Sequence, residues 1–572
     1  MLDLRIRLEK FFCPFLDKTY QGPLFNIFTR PPKSSPCDMA FPCFIPAKKS
    51  GLSPKAFAEC LAKTLPEGGM ITRIKAEGPY LNMNIDTKGL LAGFIRELKS
   101  SNPFAPLIEP REKNPILIEY SQPNTHKLFH IGHIRNVAVG DSLVRILRYN
   151  GRNIISLNYI GDIGAHIARF LWFFKKSGRV LQDFNDGSEL GRLYVDSSLY
   201  LENLGETEKI RVKKEISEIQ KALEDKSCPD LTELWEETRS QSLEYFHDIY
   251  RFLNARFDRY YYESEVEQEG IKTIKEYLSR GVFTISQGAV VIELGGNLET
   301  FLLLKSDGTS LYSTKDIALA LKKEREYHPG LSLYVVGSEQ VLYFKQLIET
   351  LRRMGFDSHD RLRHVSYELV TLKDEKMSSR YGNIVSFHDL KKAIYDNIMT
   401  SYIGSRDWDS DKKKDTLYKI ALATIRYGMV SKSLNKKIVF NLEEWLKPEG
   451  DTGAYILYTI ARINSILARS DKDPHDDLEA ISHEPEDIEK SIIISLSEFS
   501  YTVLIAEERL DPSILANYIF ELCKEFNRFY HQCPVIHTSR EGFIFRFNLI
   551  KAVKAVLEKG VSLLGFYPVT SM

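Results

Sequence analysis

The sequence has few cysteines and no long apolar run, and both shortages exclude classes of protein. Its 7 cysteines in 572 residues are scattered, and no two form a CxxC pair. This pattern supports neither a disulfide-stabilised secreted fold nor a zinc knuckle, and it favours a reducing cytoplasm. No apolar run approaches the ~20 residues that cross a bilayer, so we expect no membrane span.

Targeting and assembly signals are also lacking. The opening segment MLDLRIRLEKFF alternates charged and apolar residues, which is typical of the start of a helix rather than of a signal peptide. No internal repeat or low-complexity tract stands out. No coiled-coil pattern or broad apolar stripe is evident, which favours a monomer.

The chain has no excess of charge of either sign. Lysine plus arginine and aspartate plus glutamate each number 77, which gives zero formal net charge. This balance neither requires nor excludes a nucleic-acid partner, because such binding depends on local basic faces. A hydrophobic content of 43% and a charged content of 27% indicate an ordinary globular protein. The length predicts about three or four domains.

Composition and periodicity divide the chain into three predicted regions. Residues 1–112 form a small mixed α/β unit with a strand, turn and strand from Gly69 to Asp86, followed by a polar, proline-punctuated boundary. Residues 113–407 combine buried-strand patterns with a charge-rich helical insertion near 202–257. Residues 408–572 carry a 3.6-residue apolar rhythm, which predicts an all-α bundle.

The second region opens with a strand–helix–strand pattern. We predict a strand at Ile116–Tyr120, a helix at Ile134–Tyr149 and a strand at Asn153–Ile160, which is a βαβ unit of a parallel sheet. The apolar runs Val290–Leu294 and Leu333–Val336 could supply further strands. The expected fold class is therefore α/β: a Rossmann-type parallel-sheet domain with a helical insertion, a small α/β N-terminal domain and an all-α C-terminal bundle.

Two short motifs carry the chemistry. His130-Ile131-Gly132-His133 lies between a strand and a helix N-terminus, a place that suits phosphate, and its imidazoles can donate hydrogen bonds to a phosphate in reaction. Lys376-Met377-Ser378-Ser379 supplies a cation, hydroxyls and backbone N–H groups for pyrophosphate. Alone, the first is equally well explained by incidental histidines and the second by a solvated turn. Together they suit in-line attack on the α-phosphorus of ATP.

With their surroundings these motifs resemble the arginyl-tRNA synthetases of class I. The resemblance includes EYSQPNTHKLFHIGHIRN, LNYIGDIG, SDGTSLYSTKDIA, VVGSEQ and GDTGAYILYTIARI, and it runs discontinuously from the N-terminal unit to the last helices. It implies that residues 1–112 are an additional tRNA-contacting domain. Residues 113–407 would be the catalytic domain, and residues 408–572 the anticodon-binding domain.

The resemblance also implies an arginine pocket. A guanidinium presents five donors in one plane and needs acceptors around it. Judged as single residues, Asp316 could simply start a helix and Tyr312 could simply pack. Glu119 ends a predicted buried strand, where an unpaired carboxylate would be costly. The residues that the resemblance places around arginine are Glu119, Ser121, Asn124, Tyr312, Asp316 and Gln340.

The implied reaction has two steps and uses ATP with Mg²⁺, without a structural metal in the protein. His130 and His133 stabilise the reacting phosphate, Gly132 lets the nucleotide approach closely, and Lys376 holds the pyrophosphate, with Met377, Ser378 and Ser379 also binding ATP. Arginine then passes to the 3′ end of tRNA(Arg). Synthetases of this kind generally need bound tRNA before they activate the amino acid.

Three positions depart from the family pattern. Ser379 stands where a second lysine would, and Lys127 could supply that charge, although a plain loop lysine is the alternative. His166 replaces a usual glutamine, and we assign it no catalytic role. Tyr343 replaces a common histidine. These departures leave the substrate affinity open, but not the type of reaction.

The C-terminal region offers a candidate tRNA contact. Tyr455, Tyr458 and Arg462 have spacings of three and four, so they share one helix face and could stack on splayed anticodon bases. Packing of both tyrosines within the bundle is the alternative. The N-terminal domain is expected to touch the tRNA elbow.

Other functions remain open at this point. A small-molecule adenylyltransferase can carry an HxGH loop, but it is usually shorter and needs no helical RNA-binding domain. A catalytically silent tRNA-binding relative would not need the histidine pair, Lys376 and the pocket carboxylates. A class I synthetase for another amino acid is the third alternative; lysine, for example, would satisfy one carboxylate but would gain little from several planar acceptors.

Overall fold

The N-terminal strands form an antiparallel sheet covered by short helices. The structure, a computed structural model, describes residues 3–16, 24–32, 35–99, 104, 113–372, 386–469 and 482–572. In this first unit the strands are β1 (Met39–Pro42), β2 (Ile71–Glu77) and β3 (Tyr80–Ile85), in the order β1-β3-β2, and the helices are α1 (Leu4–Phe12), α2 (Phe44–Ser50), α3 (Pro54–Thr64) and α4 (Thr87–Leu98).

A parallel sheet dominates the middle of the chain. Its three central strands are mainly apolar and buried along almost their whole length, as expected of strands covered on both faces, whereas the two edge strands are partly exposed. The strands of the sheet are β4 (Ile116–Glu119), β5 (Ile154–Ile160), β6 (Arg259–Tyr262), β10 (Leu331–Gly337) and β11 (Leu362–Tyr367), paired in the order β11-β10-β4-β5-β6. The chain order reverses direction at β4, and ligands of such sheets bind at the carboxyl ends of the strands near this point.

Helix α5 (Ile131–Tyr149) connects β4 to β5 and lies at the centre of the molecule. Nearly every side chain on it is buried, because one side packs on the sheet and the other on the C-terminal helices. The helix begins three residues earlier than the apolar rhythm predicts. The side chain of His130 caps its first turn, and capping depends on a polar side chain that hydrophobic periodicity does not detect.

The helical insertion lies between β5 and β6 and is longer than predicted. Its first helix begins at Ala165 and is rich in buried apolar and aromatic residues, so it lacks the high charge that predicts the insertion near 202–257. A separate antiparallel sheet follows β6, so the run near Val290–Leu294 forms a strand but does not join the parallel sheet. The insertion helices are α6 (Ala165–Ser177), α7 (Gly187–Glu202), α8 (Glu206–Glu224) and α9 (Pro229–Phe252). The antiparallel strands are β7 (Thr284–Ser286), β8 (Ala289–Glu293) and β9 (Thr300–Leu304), preceded by α10 (Glu263–Ser279).

Two helices beside the sheet carry pocket residues, α11 (Tyr312–Tyr327) and α12 (Val341–Arg353). The remaining elements form a mainly helical C-terminal half. They are β12 (Val370–Leu372), α13 (Phe387–Ile398), α14 (Ser410–Val430), β13 (Ile438–Phe440), α15 (Leu442–Trp445), α16 (Gly453–Leu467), α17 (Asp487–Ser497), α18 (Phe499–Glu508), α19 (Ser513–Gln532) and α20 (Arg540–Leu563). Strand β13 pairs in parallel with β12, which joins the helical region to the sheet domain.

The first and last regions of the chain meet at Glu498, the residue between α17 and α18. Its carboxylate accepts from Arg5 Nη2 at 2.7 Å and from Arg30 Nε at 2.6 Å, and it is largely buried. Asp3 caps α1 and also accepts from the backbone N–H of Tyr501 at 2.9 Å. Charged groups of the N-terminal unit are thus bound directly to the helical bundle. Among the described residues no helix is long and apolar enough to span a bilayer.

Candidate active site

The loop after β4 has an unusual backbone that is held by side chains from its neighbours. Ser121 and Gln122 have φ angles of 78° and 44°, in the left-handed region that non-glycine residues rarely enter. Their N–H groups donate to the side-chain oxygens of Asn136 on α5 and Asn158 on β5, at 2.5 and 3.2 Å. Strain of this kind concentrates at functional sites, where the surrounding structure enforces it.

His130 and His133 form a stacked pair at the start of α5. Their ring centroids are 3.8 Å apart. The backbone N–H of Gly132 donates to His130 Nδ1 at 3.1 Å, and the N–H of His130 donates to His133 Nδ1 at 3.2 Å. Since both Nδ1 atoms accept, each neutral ring carries its proton on Nε2. The two Nε2–H groups are therefore the donors that this helix start can offer to a ligand.

Electrostatics keep both rings neutral. Burial, assisted by the nearby Lys127 ammonium, lowers the pKa of His130 to about 4. Burial, together with His130 and Lys127, also lowers the pKa of His133 well below its usual value. Neutral imidazoles donate hydrogen bonds at pH 7 without carrying charge, so charge that develops on a bound phosphate can be stabilised by preorganised dipoles.

Two glycines leave room that the site uses. A Cβ on Gly132 would lie 3.0 Å from the ring of His130, so a larger residue would press on the capping imidazole. A Cβ on Gly161, which follows β5, would lie 2.2 Å from Asn124 Oδ1 and would have to displace that amide. The places of His130 and Asn124 therefore depend on these glycines.

A cavity of about 570 Å³ extends from the histidine pair to α11 and α12. The histidine pair and the predicted arginine-pocket residues line this same cavity, although they come from segments far apart in the sequence. Ser121 is buried, and its hydroxyl is hydrogen-bonded to that of Tyr250 at 2.8 Å. Tyr312 and Gln340 are exposed at the rim. The predicted residues that line the cavity are Glu119, Ser121, Asn124, His130, Gly132, His133, Tyr312, Asp316 and Gln340.

Glu119 is already ion-paired within the protein. Its Oε2 lies 2.7 Å from Nζ of Lys323, with side chains only 6% and 3% exposed, and its Oε1 accepts from Gln122 at 3.2 Å. Lys323 also donates to the hydroxyl of Tyr334 at 3.0 Å. A buried carboxylate beside a buried ammonium adds little net charge to the cavity. Glu119 therefore offers an oriented acceptor more than a free negative charge.

A second carboxylate of the cavity is paired in the same way. Glu263, at the start of α10, forms a buried ion pair with Lys315 on α11. Burial raises the pKa of Glu263 to about 7, against the opposing effect of Lys315. Asp316 differs from both, because its carboxylate accepts from the Tyr343 hydroxyl and has no ion-pair partner in the described part of the chain. The cavity thus holds two carboxylates without an ion-pair partner among the described residues, the half-buried Asp316 and the exposed Glu339.

Sequence reasoning missed several residues of this cavity. Lys323 could have been found, because it follows Asp316 by seven positions on one helix and so shares its face. Asn136 lies within the quoted motif but was not assigned a role. Tyr159 lines the cavity with a buried hydroxyl that has no hydrogen-bond partner among the described residues. No local pattern distinguishes Tyr159 from an ordinary strand tyrosine.

Lys127 and two of the departures from the family pattern, His166 and Tyr343, lie at different distances from the cavity. Lys127 does not line it, and its Nζ lies 5.4 Å above the ring of Tyr194. His166 is buried on α6 with Nε2 3.3 Å from the carbonyl of Gly161, so it can support the loop without facing the cavity. Tyr343 lines the cavity beside Asp316. Lys376, Met377, Ser378 and Ser379 lie outside the described residues.

The predicted tRNA-contacting residues share one face of α16, as their spacing implies. Tyr458 is 40% exposed and lies beneath the guanidinium of Arg462, whose carbon is 4.9 Å from the ring centroid. Tyr455 is half-buried, packs on Phe520 and accepts a hydrogen bond from Asn527 at 2.9 Å. Tyr458 is thus accessible, whereas Arg462 and Tyr455 are each half-buried and hydrogen-bonded to Asn527.

Comparison with known proteins matches every region of the chain. Residues 7–85 match the arginyl tRNA synthetase N terminal domain, residues 101–442 the catalytic domain of the class I tRNA synthetases (R), and residues 456–572 the DALR anticodon binding domain. The arginine–tRNA ligase of Bdellovibrio bacteriovorus is 35% identical over 554 residues, covering 95% of this chain and 93% of that protein. The ligase of Treponema denticola is 33% identical, with coverage of 94% and 93%.

Solved structures agree with these matches. The arginyl-tRNA synthetase of Thermus thermophilus aligns over the full length of both chains with a TM-score of 0.81 and 26% identity. That of Plasmodium falciparum aligns with a TM-score of 0.77 at 18% identity, which supports the fold alone. The histidine pair, the cavity beside it and the matches over nearly the whole sequence lead to one conclusion: this chain belongs to the arginyl-tRNA synthetases, the arginine–tRNA ligases of class I.

Proposed function

We propose that this enzyme activates L-arginine with ATP and transfers it to tRNA(Arg), with the described cavity as the site of the first step. The observation that carries the proposal is that two neutral imidazole donors line one cavity with Asp316, a carboxylate that has no ion-pair partner among the described residues. The imidazole donors suit a reacting phosphate, and the carboxylate suits a guanidinium.

In the first step, an oxygen of the arginine carboxylate attacks the α-phosphorus of ATP. The bond from this phosphorus to the bridging oxygen breaks, and pyrophosphate leaves. The Nε2–H groups of His130 and His133 stabilise the charge on the phosphate oxygens. Gly132 lets the nucleotide approach the start of α5 closely. The product is arginyl-adenylate.

The leaving pyrophosphate needs positive charge, and two segments are candidates for it. We assign Lys376, with Met377, Ser378 and Ser379, to the triphosphate because of the family motif. Lys127 is a candidate for the charge that Ser379 lacks, and its electrostatic effect on both histidines supports this role. Mg²⁺ accompanies ATP as the counter-ion of its phosphates.

Selection of arginine follows from the charges and acceptors of the cavity. Asp316 is the counter-ion of the guanidinium, while Glu119 accepts from it in the orientation that Lys323 fixes. Asn124, Ser121, Tyr312 and Gln340 complete the assigned pocket. A lysine ammonium would also pair with the Asp316 carboxylate, but it would leave some acceptors of the pocket without a hydrogen bond. Citrulline has nearly the shape of arginine but lacks its positive charge.

In the second step, a terminal ribose hydroxyl of tRNA(Arg) attacks the carbonyl carbon of arginyl-adenylate, and AMP leaves. Tyr455, Tyr458 and Arg462 are assigned to the anticodon, supported by the exposure of Tyr458 beneath Arg462. The N-terminal unit is assigned to the tRNA elbow. We place this reaction in the cytoplasm and expect a monomer.

Arginine-dependent ATP–pyrophosphate exchange tests the proposal. The assay compares arginine, lysine and citrulline, each with and without a tRNA(Arg) transcript. Of the three amino acids, we expect only arginine to support exchange, and only when tRNA is present. Exchange driven by another amino acid would contradict the assignment of the substrate. No exchange under any condition, in a folded protein that binds tRNA, would favour the catalytically silent relative.

A further inference from the structure

Tyr343 is hydrogen-bonded to Asp316, a cavity carboxylate that has no ion-pair partner among the described residues. Its hydroxyl donates to Asp316 Oδ2 across the gap between α12 and α11. The phenol ring is held by aromatic contacts with Phe301, at a centroid distance of 5.5 Å, and with Phe344, at 5.6 Å. The direction of this hydrogen bond is therefore set by packing from β9 and α12, not by the two bonded groups alone.

The surroundings of Asp316 make its negative charge costly. Burial raises the pKa of Asp316 to about 6, and Glu119 adds to the increase, while the Tyr343 hydroxyl, Lys323 and Lys315 oppose it. Tyr343 itself stays protonated, because burial, Asp316 and Glu263 raise its pKa well above the usual value. A protonated Asp316 would lose the charge that attracts a guanidinium. A fixed hydroxyl donor favours the charged form.

We propose that Tyr343 is a positioning residue for arginine: its hydroxyl keeps the Asp316 carboxylate ionised and oriented toward the guanidinium, without touching the reacting atoms. This inference rests on the proposed function and identifies a specificity determinant of the same pocket. The family motif commonly has a histidine at this position. In this sequence a tyrosine stands there, and its hydroxyl donates the hydrogen bond to Asp316. It explains how the pocket retains an oriented carboxylate despite the substitution.

Two variants separate this role from simple packing. Tyr343→Phe keeps the ring and removes the donor, whereas Tyr343→His keeps a possible donor and loses ring volume. We expect Tyr343→Phe to raise the arginine KM roughly fivefold or more at pH 7, with kcat and the ATP KM nearly unchanged. Tyr343→His should lie closer to the wild type than Tyr343→Phe. A packing role predicts the reverse order.

The pH profile provides the second measurement. Loss of the donor should raise the pKa of Asp316, so the acidic limb of kcat/KM for arginine should move upward by about one pH unit in Tyr343→Phe. Tyr149→Phe is the matched control, because its hydroxyl pairs with Ser500 at 3.3 Å and does not line the cavity. This control should leave the limb unchanged.

The outcomes are distinct. An unchanged arginine KM and acidic limb in Tyr343→Phe, or a larger defect in Tyr343→His than in Tyr343→Phe, would overturn the inference. Each variant is assayed with the full-length protein and tRNA(Arg), beside the wild type. If the wild type fails to activate arginine, the proposed function itself is wrong. If only the variants behave unexpectedly, the failure belongs to Tyr343.

Discussion

Lys323 and Glu119 form a buried ion pair in the wall of the cavity, with Nζ 2.7 Å from Oε2. They are 204 positions apart and meet because α11 packs beside β4. Removing one partner of such a pair leaves an uncompensated buried charge, which typically costs about 3–5 kcal/mol.

We therefore expect Lys323→Met to lower the free energy of unfolding by about that amount and to raise the arginine KM. The double variant Lys323→Met/Glu119→Gln removes both charges and should recover much of the lost stability, but not the arginine KM. Denaturant unfolding and pyrophosphate exchange measure the two effects. Equal instability of the single and double variants would contradict the pairing.

His133→Ala should lower the turnover number by about 100-fold or more, because it removes a preorganised donor to the reacting phosphate. His133 also accepts a backbone hydrogen bond, so alanine weakens the helix start as well. His133→Asp keeps an acceptor for that bond but has no N–H donor, and it serves as the control. If aspartate restores normal turnover, His133 acts only as a cap. Single-turnover kinetics with saturating ATP give the comparison.

The pH dependence of arginine use should be set by Asp316. Its pKa is about 6 and the guanidinium needs the ionised form, so kcat/KM for arginine should fall as the pH drops through about 6. The histidines remain neutral in this range, since their pKa values are lowered. Asp316→Asn should remove the limb and raise the arginine KM far more than the ATP KM. Equal effects on both substrates would place Asp316 outside the pocket.

The raised pKa of Asp316 also affects stability. In the folded state the group holds its proton up to about pH 6, above its usual value, so its ionisation at neutral pH opposes folding. Asp316→Asn removes that cost. We expect its melting temperature in the absence of arginine to rise by about 1–3 °C at pH 7.5 and to change little at pH 4.5. A lower melting temperature at pH 7.5 would show that the carboxylate stabilises the free protein.

Gly161→Ala should displace the Asn124 side chain from the cavity wall without straining the backbone at residue 161. The new Cβ would lie 2.2 Å from Asn124 Oδ1, so the amide must move. The φ angle of Gly161 is not in the left-handed region, so alanine adds no backbone strain. We expect kcat/KM to fall about tenfold or more, as misplacement of a substrate-positioning group can cause. Gly330→Ala, whose Cβ would make an ordinary 3.5 Å contact, is the matched control.

Tyr458→Ala should weaken tRNA(Arg) binding by about 1–3 kcal/mol if its ring stacks on an anticodon base. The side chain is exposed, so the melting temperature should stay within a degree or so of the wild type. Filter binding with tRNA(Arg), and with a transcript altered only in the anticodon, measures the effect. Equal loss for both transcripts would place the contact elsewhere on the tRNA.

Much of this site could be predicted because its motifs are local. An apolar run, a histidine loop and a helical apolar periodicity together predict the strand, loop and helix from Ile116 to Tyr149. The family resemblance then placed Asp316 and Gln340, which do line the same cavity as His130. The matches to arginyl-tRNA synthetases confirm the fold class and the enzyme class.

What could not be predicted depends on contacts between distant segments. The partner of Glu119 is decided by which helix packs beside β4, and nothing in the neighbourhood of Glu119 encodes this. Val290–Leu294 has the same apolar signal whichever sheet it joins. The sequence shows that Tyr343 departs from the histidine of the family motif. It does not show the hydrogen bond from Tyr343 to Asp316, because this bond depends on how α12 packs against α11.

The contact at Glu498 has a practical consequence. Because Arg5 and Arg30 neutralise a largely buried carboxylate between two bundle helices, deleting the first thirty or so residues would leave an unpaired negative charge in the C-terminal bundle. The N-terminal unit and the helical bundle therefore cannot be separated by simple truncation, and a shortened version intended to isolate the bundle would need Glu498 replaced as well.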